Sequence, residues 1–236
     1  MTPGLRVAAA YATQLFVIVG VATLAVWLVR LTRPGARLLY WRAVGAICLA
    51  LPLLSFQISV PGEFSVEFGK AALIGPAGDP AVPYIVNAGA AAAWVWGAGV
   101  MVCLARLAAG ALHLFRLRRR STPAALDAGI DSLRGDLAPH AEFRWSPDVR
   151  QPVTFGLRRP VILLPHSFAQ LDADARHAVA CHELLHVARR DWIWIVVEEH
   201  ARAIGWFHPA VWWVVERIQL AREQLIDSLV VTRAVS

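Results

Sequence analysis

The chain has 236 residues, of which 57% are hydrophobic, and its mean hydropathy is +0.51. This apolar content is above the roughly 45–50% of ordinary soluble domains, so the composition favours a membrane protein with the lipid bilayer as a partner. The formal charge is +6, but 22 of the 23 basic residues are arginines that lie beside apolar segments rather than in a basic stripe with aromatic residues. This distribution argues against a nucleic-acid partner.

Three apolar segments are long enough to cross a membrane as helices, and they cover residues 7–29, 38–60 and 80–105. The first segment has no charged residue and would extend over about 35 Å as a helix. A signal peptide is the alternative for this segment, but the apolar part exceeds the usual length of about 7–15 residues for that role. We therefore predict a mainly α membrane protein with three transmembrane helices in a membrane domain of residues 1–120.

The distribution of arginine predicts the orientation of these helices. Basic residues follow the first segment and the third segment, whereas the loop of residues 61–79 has a net charge of −2. Because short cytoplasmic loops are rich in Lys and Arg, we predict a multi-pass protein with its N-terminus outside. Everything after Arg120 is then predicted to lie in the cytoplasm.

Residues 121–236 predict a small α+β domain. The first part of this segment has the composition of a soluble protein, and the part after Arg190 is apolar again. Strands are predicted at residues 141–145, 153–156 and 160–165, the last two as a hairpin. Asp172 can cap the following helix, which is expected to end at a pair of arginines. Two amphipathic helices joined at residues 205–209 should follow, with their tryptophan-rich face on other helices or at the membrane interface.

The segment CHELLHVARRDW, residues 181–192, carries the chemistry. His182 and His186 are four residues apart, so on a helix both imidazoles point toward a single ion, and Glu183 lies beside them. Zinc at such a site lowers the pKa of its water toward about 7, and a carboxylate can take up the proton. The pattern predicts a site for one zinc ion with Glu183 as the catalytic base. Cys181 would point to a different face of the helix, which argues against a ligand role.

A catalytic zinc usually has three protein ligands, so one more must come from elsewhere in the chain. Asp227 follows Glu223 by one helical turn, and this pair allows one helix face to supply both a ligand and a carboxylate that orients a ligand histidine. The residues alone leave several choices open for the third ligand, namely Glu198, Glu199, His200, His208 and Glu223.

A hydrolytic site that acts on a peptide also needs contacts with its substrate. An exposed strand edge can hold an extended substrate through backbone hydrogen bonds. We predict that the strand of Val161, Ile162, Leu163 and Leu164 binds the substrate in this way. The alternatives are that the strand over residues 153–155 binds it, or that residues 161–164 only pack in the core. His208 is predicted to contact substrate or the developing oxyanion, and the alternative is a hydrogen-bonded histidine at a helix junction.

The chain resembles the integral-membrane zinc metallopeptidases of the BlaR/MecR type, the sensor-transducers of β-lactam resistance, and more distantly the Ste-type and HtpX-type membrane proteases. The motifs that carry the resemblance are QPVTFGLRRPVILLP, HELLHVARRDW, WFHPAVWW and REQLID. The resemblance implies a gluzincin-like (zincin-like) cytoplasmic domain of residues 121–236 and a location in the bacterial inner membrane. It also implies that Glu223 is the third zinc ligand and that Asp227 supports a ligand histidine.

Two departures from the family pattern affect what the resemblance implies. Ile226 stands where the family often has cysteine, and members usually continue into a fourth span and a sensor or other module. We expect this chain, which stops at Ser236, to be the peptidase portion of something longer or a minimal member.

The predicted function is a membrane-embedded zinc endopeptidase that cleaves a cytoplasmic regulator, or itself, in response to an envelope signal, as in antibiotic sensing. Its partner is then a protein or peptide substrate, and a homo-oligomer is an open alternative. A non-catalytic membrane receptor or scaffold that keeps the zinc-bound fold is the alternative function. The presence of Glu183 favours the enzyme, because a scaffold does not need a base.

Overall fold

A computed structural model describes residues 3–55 and 82–235 of the chain, which is mainly helical. The helices are α1 (Pro3–Val29), α2 (Pro34–Ser55), α3 (Val82–Arg120), α4 (Ala128–Leu137), α5 (Ala173–Ala188), α6 (Asp191–Ile204) and α7 (Pro209–Val235). The strands are β1 (Thr122–Pro123), β2 (Glu142–Trp145), β3 (Val153–Phe155) and β4 (Val161–Leu164), and a 3₁₀ helix covers His166–Gln170. Strands β2, β3 and β4 lie within the three predicted strand segments, whereas β1 and the 3₁₀ helix are not among the predicted elements.

Within the described residues, two helices are long and apolar enough to cross a membrane. They are Ala10–Val29 in α1 and Ala90–Arg120 in α3. These helices coincide with the first and third predicted segments, although α3 continues as one helix beyond residue 105. Many large apolar side chains of α1 and α3 are exposed, as a lipid-facing surface would be.

The second predicted span remains a prediction. Helix α2 contains Arg37 and Arg42 and is not one of the two candidate membrane helices of the described chain. The end of this predicted span, residues 56–60, lies outside the described residues. The predicted acidic loop of residues 61–79 also lies outside them.

Helices α1, α2 and α7 share one hydrophobic core. Trp41 of α2 packs edge-on against Trp213 of α7, with ring centroids 5.2 Å apart. The predicted division at residue 120 coincides with the end of α3, and this core contains residues from both sides of it. The division into two domains therefore remains a prediction. The buried residues of the core shared by α1, α2 and α7 are Leu15, Val19, Ala22, Leu38, Trp41, Val44, Cys48, Ala210, Val211, Val214, Ile218 and Ala221.

The four strands of the described chain form one sheet in the order β1-β2-β4-β3. Strands β3 and β4 form the predicted antiparallel hairpin, with Phe155 opposite Val161. Strand β2 is parallel to β4 and antiparallel to β1. Gly156 adopts φ +103° in the hairpin turn, where a Cβ atom would lie 2.9 Å from the carbonyl oxygen of Arg159, so the turn requires glycine.

Strand β4 is covered on both faces, and its four side chains are fully buried. Ile162 and Leu164 pack toward α4 and α5, whereas Val161 and Leu163 pack with Phe155 and the end of α3. The alternation follows from the two-residue period of a strand. The sheet therefore fixes the position of α5, the helix that carries the HELLH motif.

Helix α5 begins and ends as the sequence predicts. The Asp172 side chain accepts a hydrogen bond of 2.7 Å from the backbone N–H of Ala175, which is a standard N-cap. The helix ends at Ala188, and Arg190 adopts a left-handed conformation with φ 55°. This residue reverses the chain direction, so that α6 starts close to the last turn of α5.

Helices α6 and α7 form the predicted pair of helices joined at residues 205–209. The Trp96 indole N–H donates to the carbonyl of Ile204 over 3.1 Å, and the Trp206 indole N–H donates to the carbonyl of Trp96 over 3.2 Å. The junction also contacts α1 at Ala12 through His208. It therefore lies beside the N-terminal parts of the two helices that could cross a membrane.

Candidate metal centre

His182 and His186 lie one turn apart on α5 and present their rings to the same space. Their Nε2 atoms are 3.2 Å apart. Both side chains are partly buried, at 27% and 15% exposure. Helical spacing alone produces this arrangement, because residues four apart occupy the same helix face.

Glu223 of α7 completes a group of three donors. Its Oε2 atom lies 3.5 Å from the Nε2 atom of each histidine. The ligand atoms of the three residues all lie within 4.8 Å of one another. Helix α7 is held in this position by Ile226, which is fully buried against Cys181 and Leu185 of α5. Cys181 therefore has a packing role, and Ile226 supplies the apolar contact between α7 and α5.

Each histidine has a carboxylate at its other ring nitrogen. Asp227 Oδ1 lies 3.2 Å from His182 Nδ1, as the sequence predicts for a supporting carboxylate. Asp191 Oδ2 accepts a hydrogen bond of 3.0 Å from His186 Nδ1. A proton held on Nδ1 leaves the lone pair of Nε2 directed at the shared space, which is the tautomer that a metal ligand needs.

Sequence reasoning missed the role of Asp191. The residue belongs to the HELLHVARRDW motif, but its spacing of five from His186 does not place it on the same face of a continuous helix. The left-handed turn at Arg190 brings it back to the histidine. The sequence feature that could have indicated this role is the position of Asp191 at the end of the motif, directly after two arginines.

The electrostatics favour a positive charge at the centre of the group. The hydrogen bond with Glu223 raises the pKa of His182 in spite of its partial burial. Burial lowers the pKa of His186, but the hydrogen bonds with Asp191 and Glu223 outweigh it and raise the pKa to about 9. Hydrogen bonds with the two histidines hold the pKa of Glu223 well below its usual range. A proton and a metal cation would therefore compete for the same atoms.

Glu183 lies beside this group without joining it. Its Oε2 atom accepts a hydrogen bond of 2.5 Å from the Thr154 hydroxyl of β3. The carboxylate is therefore held between the motif helix and the sheet. This is a suitable position for a base that acts on a molecule lying between the two elements.

An open cleft of about 480 Å³ contains the site. Its floor is formed by the two histidines, Glu183 and Glu223, one wall by residues 151–156 around β3, and the other by the start of α6 with Trp192 and Ile193. The cleft volume is far larger than a metal ion needs, so the cleft has room for further groups beside the ion.

The prediction that Val161–Leu164 binds substrate is wrong. This strand, β4, is hydrogen-bonded to β2 on one side and β3 on the other, and it is fully buried. It has no free edge for an added strand. The alternative strand, Val153–Phe155, is at the edge of the sheet, and its residues Val153 and Thr154 line the cleft.

The prediction that His208 lines the cleft is also wrong. The side chain is 2% exposed at the α6–α7 junction. Its Nδ1 atom accepts from the backbone N–H of Ala210, so Nε2 carries the proton and donates to the carbonyl of Ala12 over 3.2 Å. Both ring nitrogens are thus satisfied, and the residue connects the junction to α1.

The other choices for a third ligand are engaged elsewhere. Glu198 is buried, and both of its carboxylate oxygens accept from Nη2 of Arg222; burial raises the pKa of Glu198 against the opposing effect of that arginine. Glu199 pairs with Arg202 at 3.0 Å. His200 Nδ1 lies 2.7 Å from the carbonyl oxygen of Val196 on its own helix. Glu223 is the choice that the structure brings to the histidines.

The chemistry of this group fits a divalent transition metal. The two Nε2 atoms face each other at 3.2 Å, a separation at which a proton or a metal cation has to lie between them. A carboxylate beside them and two further carboxylates behind the rings complete a donor set that is typical of catalytic zinc. The residues present therefore fit the ion that the motif implies.

Apolar helices long enough for a membrane, together with a HELLH helix that meets a distant glutamate, are features of a membrane metallopeptidase. The chain matches the model of the BlaR1 peptidase M56 family over residues 11–235. It belongs to that family. Over 82 residues it is 33% identical to the "Regulatory protein BlaR1" of Bacillus licheniformis, a match that covers 35% of this chain and 14% of that relative.

Proposed function

We propose that the chain is a membrane-embedded zinc-dependent endopeptidase. The observation that carries the proposal is the convergence of His182, His186 and Glu223 on one point, beside Glu183 and inside an open cleft. Membership of a peptidase family supports it. Two imidazoles and one carboxylate would hold a single zinc ion and leave a fourth position open, which is the usual set in hydrolytic zinc enzymes.

The reaction we propose is hydrolysis of a peptide bond. A zinc ion in this site would supply a Lewis acid that polarises the scissile carbonyl. Glu183 removes a proton from the attacking water and delivers it to the leaving nitrogen as the C–N bond breaks. The Thr154 hydroxyl holds the Glu183 carboxylate toward the sheet, so that proton transfer occurs where the strand edge meets the floor of the cleft.

The edge of β3 is the proposed substrate-binding strand. One side of Val153–Phe155 pairs with β4, and this strand borders the cleft. An extended peptide could add to the free edge through backbone hydrogen bonds. Because Thr154 of this strand contacts Glu183, a peptide bound there would pass next to the base. The substrate is then an extended protein segment, either in a cytoplasmic regulator or in the chain itself.

We further propose that the peptidase takes part in signalling across a bacterial inner membrane. Similarity to a regulatory protein supports this role, and an antibiotic-like envelope signal is the one implied by the resemblance. In the proposed topology the N-terminus is outside and the metal centre lies on the cytoplasmic side. The α6–α7 junction contacts Ala12 and Trp96 in the two candidate membrane helices, so in this topology the junction would lie within the membrane, unlike the cytoplasmic position predicted for everything after Arg120.

The test uses the full chain purified in detergent, with zinc content and cleavage of an unfolded protein such as casein as the two readouts. The unchanged protein should contain one zinc ion per chain and should cleave. Glu183→Gln should keep the zinc and lose about 10²–10⁴-fold in rate, because the base is lost while the ligands remain. Glu199→Gln, which removes an acid paired with Arg202 on α6, is the matched control and should behave as the unchanged protein.

The alternative is a non-catalytic receptor or scaffold with a bound metal. Identical fragments from the unchanged protein and Glu183→Gln, both in casein and in the overexpressed chain itself, would favour this alternative. A purified chain without stoichiometric zinc would contradict the metal assignment directly.

A further inference from the structure

Asp191 is a buried carboxylate with only one of its two oxygens satisfied. The residue is 1% exposed. Its Oδ2 atom accepts from His186 and also lies 3.5 Å from Nε of Arg189. Its Oδ1 atom has no hydrogen-bond partner within the described residues. A buried carboxylate requires a compensating charge, so the group facing Oδ1 is important for keeping Asp191 in this position.

The cation that faces Oδ1 is Arg42 of α2. Its Nη2 atom lies 4.0 Å from Asp191 Oδ1. The guanidinium also lies over the ring of Trp194, with 4.1 Å between Cζ and the ring centroid. Asp191 and Trp194 are three residues apart at the start of α6, on one face of that helix. Arg42 therefore contacts the first turn of α6, and the first residue of that turn is Asp191, which accepts the hydrogen bond from His186.

Arg189 and Arg42 act on different oxygens of Asp191. Arg189 approaches Oδ2, which it shares with His186, and it comes from the end of the motif helix itself. Arg42 approaches the other oxygen and comes from α2, which lies far earlier in the sequence. Loss of Arg42 would leave one side of a buried carboxylate uncompensated, and Arg189 is not placed to replace it.

We propose that Arg42 is a positioning residue of the metal centre: its guanidinium holds Asp191, and through Asp191 it holds the imidazole of His186. This inference rests on the proposed function. It makes the metal affinity of the site depend on the position of α2, a helix that packs against α1 and α7. A displacement of α2 would then alter the orientation of His186 without touching any ligand.

The experiment measures Co²⁺ binding to the full chain in detergent, by competition with a chelator and by the visible spectrum of the bound cobalt. Arg42→Met should weaken binding by about tenfold and change the spectrum, because loss of a group that supports a ligand typically costs 10–100-fold in affinity. Arg42→Lys should recover part of the loss, since it restores the charge but not the planar contact with Trp194.

The decisive comparison is a double-mutant cycle. If Arg42 acts through Asp191, Arg42→Met combined with Asp191→Asn should bind Co²⁺ no more weakly than Asp191→Asn alone. Arg217→Met is the matched control, because Arg217 also lies over a tryptophan ring, that of Trp213 at 4.7 Å, but on α7. It should keep the affinity and the cobalt spectrum of the unchanged protein.

Several results would overturn the inference. Unchanged affinity and spectrum in Arg42→Met would do so, as would additive losses in the double variant. If Arg42→Met and Arg42→Gln both fail to fold while Arg217→Met folds, Arg42 is a folding residue and the inference is wrong. An unchanged protein that binds neither Co²⁺ nor Zn²⁺ would instead contradict the proposed function, and this inference with it.

Discussion

The two ligand histidines are supported in different surroundings. His186 donates to Asp191, whose side chain is 2% exposed, whereas His182 faces Asp227, whose side chain is 68% exposed. Exposed charges are screened by water and salt, but loss of one member of a buried pair leaves an uncompensated group. The two halves of the site should therefore depend unequally on their carboxylates, although both serve the same proposed ion.

The difference comes from the helices that supply the carboxylates. Asp191 begins α6 beneath the guanidinium of Arg42, so a third helix covers it. Asp227 lies on α7 one turn beyond Glu223 and remains open to solvent. Asp227 thus follows a ligand on its own helix, whereas Asp191 lies where α2, α5 and α6 meet.

The largest expected effect is on Glu223, which both halves share. Glu223→Ala should lose zinc and peptidase activity together, because its Oε2 atom is 3.5 Å from both Nε2 atoms. The measurement is zinc per chain by atomic absorption. Glu216→Ala removes a glutamate from the same helix outside the site and should keep one zinc ion. A folded Glu223→Ala protein with stoichiometric zinc would contradict the ligand assignment.

Asp191→Asn should have the next largest effect. We expect zinc affinity to fall by about 10–100-fold, since the amide cannot hold the His186 Nδ1 proton as a carboxylate does. Competition with a chromophoric chelator measures the change. Asp174→Asn, in the first turn of the same motif helix, is the control and should bind zinc as the unchanged protein does. Equal affinities for the two variants would show that burial of Asp191 has no consequence for the site.

Asp227→Asn should weaken zinc binding less than Asp191→Asn does. An exposed pair of this kind contributes about 0.2–1 kcal/mol, which corresponds to a loss of about fivefold at most. The same chelator competition measures it. A loss as large as that of Asp191→Asn would contradict the unequal dependence of the two histidines.

The smallest effect is the response of these two variants to salt. Raising the salt concentration from about 0.05 M to 0.5 M shortens the screening length severalfold, so the difference in affinity between the unchanged protein and Asp227→Asn should shrink. The difference for Asp191→Asn should persist, because the buried carboxylate is shielded from counterions. Zinc affinities at the two salt concentrations test this, and a parallel response of both variants would be the contrary result.

Features that depend on neighbouring residues could be predicted from the sequence. The helical spacing of His182 and His186, the cap at Asp172 and the β3–β4 hairpin all follow from backbone geometry over a few residues. The roles of Glu223 and Asp227 could not be predicted from spacing alone. Spacing places the two residues on one helix face, but only the family resemblance predicts that this face meets the histidines. The structure brings them there.

Features that depend on packing between distant segments could not be predicted. Strand β4 was expected to offer a substrate edge, but a parallel pairing with β2 places it inside the sheet and leaves β3 at the edge. His208 was expected in the cleft, but the fold turns it toward the carbonyl of Ala12. Sequence spacing carries no information on which strand ends up central or which helix covers a junction.

The sequence by itself predicted a membrane protein and a metal-binding helix, because composition and helical periodicity act locally: an apolar chain and a HELLH motif are sufficient for both predictions. Tertiary structure alone decided how the site is completed. The left-handed turn at Arg190 returns Asp191 to His186, the burial of Ile226 presents Glu223, and α2 delivers Arg42. The contacts of Ile226 and Arg42 join segments that are far apart in the chain, so the packing of whole helices sets their distances. The contact of Asp191 is local, but it depends on a left-handed turn that helical spacing does not predict.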